Sequence, residues 1–255
     1  MEKFIKDTIK EAGKIVLEGF ESELEISTKK HDRDFVTQYD NKVEDYIVGK
    51  IQSTYPEAGI LAEESGEIKK ADKFFVIDPI DGTGNFTRRI PLSCVIIGYV
   101  ESDQVSFGAV YDPYRDELFY AERGKGAELN GKPIRVMENS NGRQLSGHLI
   151  AIDTYFPGTV DRYKGILETV STGLDLKNFT LGSVGLNLVY AACGRLDLSG
   201  GVGFAPWDLV GPSIILEEAG AVITDVEGNP YRWDSQSLIT ANLTLHKKII
   251  GLIHG

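Results

Sequence analysis

Two pairs of carboxylates are set apart by where they fall in the chain. Glu63 and Glu64 directly follow the apolar run Ile60-Leu61-Ala62, and Asp78 and Asp81 follow Phe74-Phe75-Val76-Ile77. Short apolar runs of this kind read as buried strands, and strand ends are where ligand clefts form in mixed sheets. Carboxylates gathered there repel one another and lose hydration unless a proton or a cation offsets the charge. Magnesium suits such a set, because it takes about six oxygen ligands from carboxylates, carbonyls, water and phosphate. Asp78 and Asp81, three apart with Pro79 stiffening a turn between them, can present two carboxylates and the Ile80 carbonyl in one direction. Two ions sharing Asp78 would lie roughly 3.5–4 Å apart, the spacing that clamps attacking and leaving oxygens in phosphoryl transfer.

The next residues offer an anion cradle. Gly82 permits close backbone approach, and a helical turn opening at Thr83-Gly84-Asn85-Phe86 would aim its N–H groups at a phosphate. A plain turn after a strand explains Asp78 to Gly82 as well, since Asp, Pro and Gly are all turn residues. The preceding strand and the glutamate pair weigh against that reading without removing it. Taken alone, Asp40 and Asp208 read as helix N-caps, and Glu217 and Glu218 as structural or helix-surface charges.

The elements that must position these residues fall into two styles. Ile5, Ile9, Ala12, Val16 and Phe20 mark an amphipathic helix, and residues 27–34 form a polar loop. Val43, Tyr46, Ile47, Ile51 and Tyr55 mark a second helix that Pro56 closes. Strands are expected over 59–62, 74–77, 93–100, 105–111 and 117–121, the last three as an antiparallel series. Thereafter strands (149–152, 221–224, 237–240) alternate with helices (159–170, 186–192, 209–219, 245–253). The pattern predicts a single domain over 1–255 in which an α+β half (1–141) packs on an α/β half (142–255).

Composition narrows the function. The net charge of −11 lacks the basic footprint of a nucleic-acid binder, yet a bound cation can reverse the sign of a local site for a phosphorylated ligand. Cys94 and Cys193 lie far apart in apolar surroundings and read as free buried thiols of a reducing compartment. No apolar run reaches the roughly 20 residues of a membrane span, and the start of the chain has no signal-peptide stretch. The expectation is a cytoplasmic protein without membrane or nucleic-acid partners.

Together, four segments between residues 34 and 220 resemble the inositol monophosphatase family, one of the lithium-sensitive, metal-dependent phosphatases that include fructose-1,6-bisphosphatases. Asp78-Pro79-Ile80-Asp81-Gly82-Thr83-Gly84-Asn85-Phe86 is similar to the family's first motif, and Trp207-Asp208-Leu209-Val210-Gly211, continuing to Gly220, to its second. Ala62-Glu63-Glu64-Ser65 and the run from Asp34 to Asp40 match two further segments in the expected order. The resemblance implies a layered α-β-α-β-α sandwich, usually a homodimer, that works with two or three Mg²⁺ ions. It implies Glu63, Asp78 and the Ile80 carbonyl as holders of the first ion, and Asp78, Asp81 and Asp208 as holders of the second. By the same resemblance Glu63 would also help hold a looser third. Thr83 and Asp40 would orient and deprotonate a metal-activated water that attacks phosphorus in line, with no covalent phosphoenzyme. The Gly82 and Thr83 amides would hold the phosphate, while Asp81, Asp208 and Gly182-Ser183-Val184 line the substrate side.

By the same resemblance the substrate is a small phosphorylated polyol or sugar, inositol 1-phosphate first, with fructose 1,6-bisphosphate as a second or even main substrate. A phosphatase for NADP or a 3′-phosphonucleotide is the nearest rival, and it would need an adenine groove that the sequence does not reveal. A regulatory member acting through protein contacts, as one bacterial relative does with the transcription machinery, is the rival of another class. Four departures bear on the choice. The position where inositol-specific members carry an acid falls at or near Gly201, and residues 200–205 offer no carboxylate. Arg88-Arg89 either attract a second phosphate or form a solvated surface pair. Gly84 stands where the family more often has Thr, and Lys29 lies in a loop that in relatives approaches the metal site.

Overall fold

Helix α1 (Glu2–Glu21) buries Ile5, Ile9, Ala12 and Val16 on one face. Helix α2 (Gln38–Thr54) does the same with Val43, Ile47 and Ile51, as the two stripes predict. Each isoleucine or valine among them, fully withdrawn from water, contributes about 1.5–3 kcal/mol. The computed structural model describes residues 1–29, 35–138, 148–154 and 176–254. Between the two helices lies an antiparallel ribbon of β1 (Ile26–Thr28) and β2 (Phe35–Thr37), so that Ser27 and Thr28, the first residues of the loop expected over 27–34, belong to a strand. β1 is exposed throughout, so its pairing comes from backbone hydrogen bonds and leaves no apolar alternation to read.

The first large sheet contains β3 (Gly59–Ala62), β4 (Gly66–Lys69) and β5 (Lys73–Asp81). The short helix α3 (Thr83–Phe86) follows, and then β6 (Cys94–Glu101), β7 (Gln104–Asp112), β8 (Glu117–Glu122), β9 (Ala127–Leu129) and β10 (Lys132–Pro133). Their order is β10-β9-β8-β7-β6-β5-β3-β4. Only the β3–β5 pair is parallel. β6 is buried along almost its whole length because both faces of the sheet are covered, which is why it reads as a continuous apolar run.

The second sheet contains β11 (His148–Thr154), β12 (Leu176–Asn178), β13 (Leu198–Val202), β14 (Val222–Thr224) and β15 (Ser237–Ala241) in the order β12-β11-β13-β15-β14. Helices α4 (Val184–Ala192) and α5 (Pro206–Glu218) lie between the two sheets, and their residues share one core with Val76, Ile96, Val110 and Phe119 of the first sheet and Leu238 of the second. Helix α6 (Leu243–His254) covers the outer face of the second sheet through Leu245 and Ile249. α1 and α2 cover the outer face of the first. The result is the layered α-β-α-β-α sandwich that the resemblance implies. β13 escapes the sequence reading because Ser199-Gly200-Gly201 has little β preference. The helix expected over 159–170 and the boundary expected at 141/142 lie outside the described residues.

One contact sets the height of α5 above the first sheet. Gly98 and Gly108 face each other across β6 and β7, and α5 rests on them through Gly211. A Cβ on Gly108 would lie 2.0 Å from the Gly211 carbonyl oxygen, and one on Gly98 would lie 2.5 Å from Val210 Cγ1. Helix backbone thus meets sheet backbone three residues beyond Asp208. Cys94 is buried and Cys193 half-buried, both as free thiols. Among the described residues no helix is long and apolar enough to cross a membrane.

Candidate metal centre

β5 does not stop at Ile77. It continues through Asp81, and its register against β6 breaks between Asp78, opposite Ile96, and Asp81, opposite Cys94. Three steps along β5 therefore match two along β6, the signature of one extra residue in a bulge. In a regular strand residues three apart point to opposite faces; the extra residue returns Asp78 and Asp81 to the same side. Pro79 sits in the irregularity, where its missing N–H removes no ladder bond. A strand bulge thus replaces the turn that Asp, Pro and Gly suggest.

Asp208 joins them from the first turn of α5. It is not the N-cap but stands three residues on, with Oδ2 accepting the Ala205 N–H at 2.7 Å. Ligand atoms of Asp78, Asp81 and Asp208 all lie within 4.8 Å of one another, and all three residues are buried. Burial first, and then the neighbouring charges of Glu63, Asp81 and Asp208, hold the Asp78 carboxyl well above the usual range. Burial and the Asp81 charge do the same to Asp208. Asp78 Oδ1 is buried with no hydrogen-bond partner. An unpartnered carboxylate oxygen among other buried oxygens is the environment that a hard cation satisfies, so this donor set fits Mg²⁺.

Asp81 differs from its neighbours in being crowded with donors. The Ser183 hydroxyl and the Gly185 N–H (2.7 Å) donate to Oδ2, the Val184 N–H donates to Oδ1 at 3.1 Å, and the Cys94 thiol lies 3.4 Å from Oδ2. Burial raises its pKa, and these donors work against the rise. Ser183 is also the N-cap of α4, accepting the Leu186 N–H. The Gly182-Ser183-Val184 segment is thus attached directly to a carboxylate of the cluster. A Cβ on Gly185 would stand 3.0 Å from Asp81 Oδ2, which reserves that position for glycine.

Glu63 enters from the end of β3, its N–H donating to the Ile77 carbonyl at 3.1 Å. Its carboxylate meets Lys29 Nζ at 2.8 Å, and Glu64 meets the same ammonium at 2.6 Å. Burial raises both glutamates, Glu64 to about 7, with Lys29 countering. Burial acts to lower the Lys29 ammonium, but the two glutamates outweigh it and raise its pKa.

Asp40 and Thr83 form the adjoining pair. Thr37, not Asp40, is the N-cap of α2. Asp40 lies three residues on, its Oδ2 accepting from the Thr37 N–H (2.8 Å) and hydroxyl (2.6 Å). The Thr83 hydroxyl lies 3.1 Å from Asp40 Oδ1 and 2.9 Å from the Ile80 carbonyl oxygen. Burial pushes Asp40 above its ordinary value, against the pull of Thr37 and Thr83. Gly82 precedes α3 in the left-handed region (φ 90°), where a Cβ would stand 3.0 Å from the Leu92 carbonyl oxygen.

The remaining expected residues are placed as follows. Arg89 donates to the Gly19 carbonyl at 2.8 Å and to that of Ser22, closing the C-terminal end of α1. Arg88 donates to the Gly84 carbonyl at 2.7 Å and lies over the Phe35 ring. Gly201 pairs with Leu238 inside the second sheet. A Cβ on Gly84 would meet only Arg88 Nη1, at 3.6 Å. Glu217 pairs with Arg123, and Glu218 accepts the Gly124 and Gly126 N–H groups, so both are structural as expected. Two residues escape the sequence reading. Asn85 ties α3 to the Leu92 and Leu181 carbonyls, both at 2.7 Å. Glu44 lies buried on the apolar face of α2, and a charge beside Val43 and Ile47 was the available signal.

The model of the inositol monophosphatase family matches residues 1–255. The chain is 33% identical over 247 residues to the Nus factor SuhB of Escherichia coli (strain K12), covering 94% of this chain and 91% of that protein. It is 32% identical over 222 residues to the fructose-1,6-bisphosphatase/inositol-1-monophosphatase of Thermotoga maritima, covering 87% and 83% respectively. Among solved structures, the extragenic suppressor protein suhB of Bartonella henselae superposes with a TM-score of 0.90 at 30% identity, over 99% of this chain and 97% of that one.

Proposed function

The chain belongs to the inositol monophosphatase family, and on that premise we propose that it is a Mg²⁺-dependent phosphomonoesterase for a small phosphorylated polyol or sugar. The observation that carries the proposal is the unpartnered Asp78 Oδ1 inside the Asp78–Asp81–Asp208 cluster, beside the Asp40–Thr83 pair. Glu63, Asp78 and the Ile80 carbonyl would hold one ion, Asp78, Asp81 and Asp208 a second, and Glu63 would assist a third. The Ile80 oxygen has a second lone pair beyond the one facing Thr83. When bound, Mg²⁺ supplies charge neutralisation for the phosphate and lowers the pKa of a coordinated water.

The side chains account for orientation and proton movement. Thr37 occupies Asp40 Oδ2, which leaves Oδ1 for Thr83. A Thr83 hydroxyl donating to Asp40 turns its lone pairs outward and accepts a hydrogen from the attacking water. As the water attacks phosphorus in line, its proton passes to Thr83 Oγ1 while the Thr83 proton moves to Asp40 Oδ1, and the ester P–O bond on the opposite side breaks, the departing alkoxide taking a proton from solvent water. Burial makes Asp40 a better proton acceptor than an exposed aspartate. The Gly82 and Thr83 amides lie where α3 begins and would hold the phosphate oxygens. Asp81, Asp208 and the Gly182-Ser183-Val184 segment would meet the hydroxyl groups of the substrate.

Arg88 and Arg89 are both engaged with backbone carbonyls, which weakens their claim on a second phosphate. The lack of a carboxylate at Gly201 weakens inositol selectivity. Inositol 1-phosphate and fructose 1,6-bisphosphate therefore stand as the leading pair, and the Thermotoga maritima relative is named for both. Measuring kcat/KM for the two under identical Mg²⁺, with NADP and a 3′-phosphonucleotide as comparisons, tests the proposal; inactivity on all four would sink it. A regulatory role through protein contacts is the reading that the relative named as a Nus factor suggests. An Asp81→Asn chain that kept full cellular function without turnover would favour that role.

A further inference from the structure

Glu44 is a buried carboxylate that the chemistry above does not use. It is 2% exposed. Its Oε2 accepts the Glu64 N–H at 2.8 Å and its Oε1 accepts the Ser65 N–H at 2.9 Å. Those consecutive amides belong to the turn leaving β3, the turn that carries Glu63. Each carboxylate oxygen takes one donor, so the pair of bonds fixes both the distance and the rotation of the turn. On the other side the Glu63 N–H is tied to the Ile77 carbonyl of β5. Lys29 pulls on the Glu63 and Glu64 side chains from a third direction.

Glu44 lies four residues after Asp40, one turn along the same face of α2. That helix is itself seated on Phe75 and Ile77 of β5 through Val43, Ile47 and Ile51. The same rigid element therefore carries Asp40 at one point and grips the Glu63 turn at the next. We propose that Glu44 is a positioning residue that makes α2 a ruler between Asp40 and Glu63, holding the Glu63 carboxylate at the spacing from Asp78 that a divalent cation requires. Without the clamp the Glu64 and Ser65 N–H groups lose their acceptor, and the turn that carries Glu63 loses its fixed distance from α2. The inference rests on the metal-centre reading.

The test is Mg²⁺ affinity by titration calorimetry on the full chain, at a temperature where circular dichroism shows wild type and variants folded. Glu44→Gln keeps the shape but sets an NH₂ group against one backbone N–H. Asp112→Asn is the control: Asp112 is a buried carboxylate outside the cluster whose Oδ1 accepts both the Tyr114 and Arg115 N–H groups (2.9 and 3.2 Å) while its Oδ2 meets the Arg115 guanidinium. Both variants are expected to melt below wild type. E44Q is expected to bind Mg²⁺ about tenfold more weakly, with kcat recovering at saturating Mg²⁺, whereas D112N binds within about twofold of wild type. Glu44→Asp, which draws the oxygens back by one methylene, reports the same effect at about threefold if E44Q does not fold. Wild-type affinity in the Glu44 variants would overturn the inference while leaving the metal centre standing. A wild-type chain that takes up no Mg²⁺ would overturn both.

Discussion

Asp78 and Asp81 leave the same strand three residues apart and end in opposite surroundings. Around Asp81, the start of α4 supplies two backbone N–H groups and the Ser183 hydroxyl, and Cys94 approaches from β6. Around Asp78 there are other carboxyls, and Oδ1 has no partner. One carboxylate ties the first sheet to the helix layer; the other shares a hydrogen bond with Glu63 and keeps its Oδ1 without a partner. Four donors stabilise a buried carboxylate whether or not a cation is present, but an unpartnered one is costly until something coordinates it. The two positions therefore divide stability from metal binding, although both belong to one cluster.

Single substitutions should pull these roles apart. Asp78→Asn and Asp81→Asn are each expected to lower kcat/KM by about 10³-fold, as loss of a group that organises charge in the transition state does. Their metal-free stabilities should diverge. Asp81→Asn leaves donors of α4 unmatched and should cost about 1–3 kcal/mol, whereas Asp78→Asn removes a repelling carboxyl and should leave the metal-free chain as stable as wild type or more so. Urea unfolding in EDTA measures the difference, and equal losses would erase the contrast.

Gly108→Ala tests whether the sheet fixes Asp208 relative to that pair. The new methyl would collide with the Gly211 carbonyl oxygen, so α5 must lift or slide, at about 1–3 kcal/mol. Mg²⁺ binding should weaken with it, although Gly108 touches no carboxylate. A stable variant with unchanged Mg²⁺ affinity would show that α5 tolerates displacement.

The pH dependence of the metal-free chain follows from the same crowding. Asp40, Asp78, Asp81 and Asp208 all titrate above their ordinary values when folded, and Glu64 titrates at about 7. Unfolded carboxyls titrate near about 4, so between about pH 4 and about 7 the folded chain binds more protons than the unfolded one. Its stability is greatest at the acid end of that window and falls as pH rises through it. Melting curves in EDTA should therefore shift down from about pH 5 to about 7, and saturating Mg²⁺, which displaces protons, should flatten or reverse the trend. A metal-free melting temperature that rises over this range would contradict the account.

The smallest effect belongs to Gly84→Thr. Its Cβ meets nothing nearer than Arg88 Nη1 at 3.6 Å, so stability should change by no more than about 0.5 kcal/mol, with turnover retained. Activity lost there would mean that α3 is more tightly fitted than its packing shows.

Much of this arrangement was legible in the sequence, because apolar runs ending in carboxylates report burial and charge together. The two helices over the outer face, the strands β3, β5, β6, β7 and β8, and the carboxylates Asp78 and Asp81 follow from such local patterns, whereas Asp208 joined them only through the family resemblance and β4 was not foreseen. The bulge at Pro79 did not, since its register exists only relative to Ile96 and Cys94 on β6. Asp40 and Asp208 were read one turn position early. An aspartate that accepts the N–H of the capping residue has the same composition cue as one that caps. β13 was hidden by two glycines whose strand form is imposed by Leu238 and its neighbours in β15. For Arg89 the sequence leaves a second-phosphate ligand and a solvated surface charge both open, because nothing local reveals that the end of α1 lies within its reach.

The most direct test of the central claim is a crystal structure of the chain soaked in Mn²⁺, with anomalous scattering locating the ion. The account predicts a peak coordinated by Asp78 Oδ1 and shared with Asp81 and Asp208, while Asp81 keeps its bonds to Val184 and Gly185. Ordered carboxylates with no anomalous peak among these three residues would contradict it.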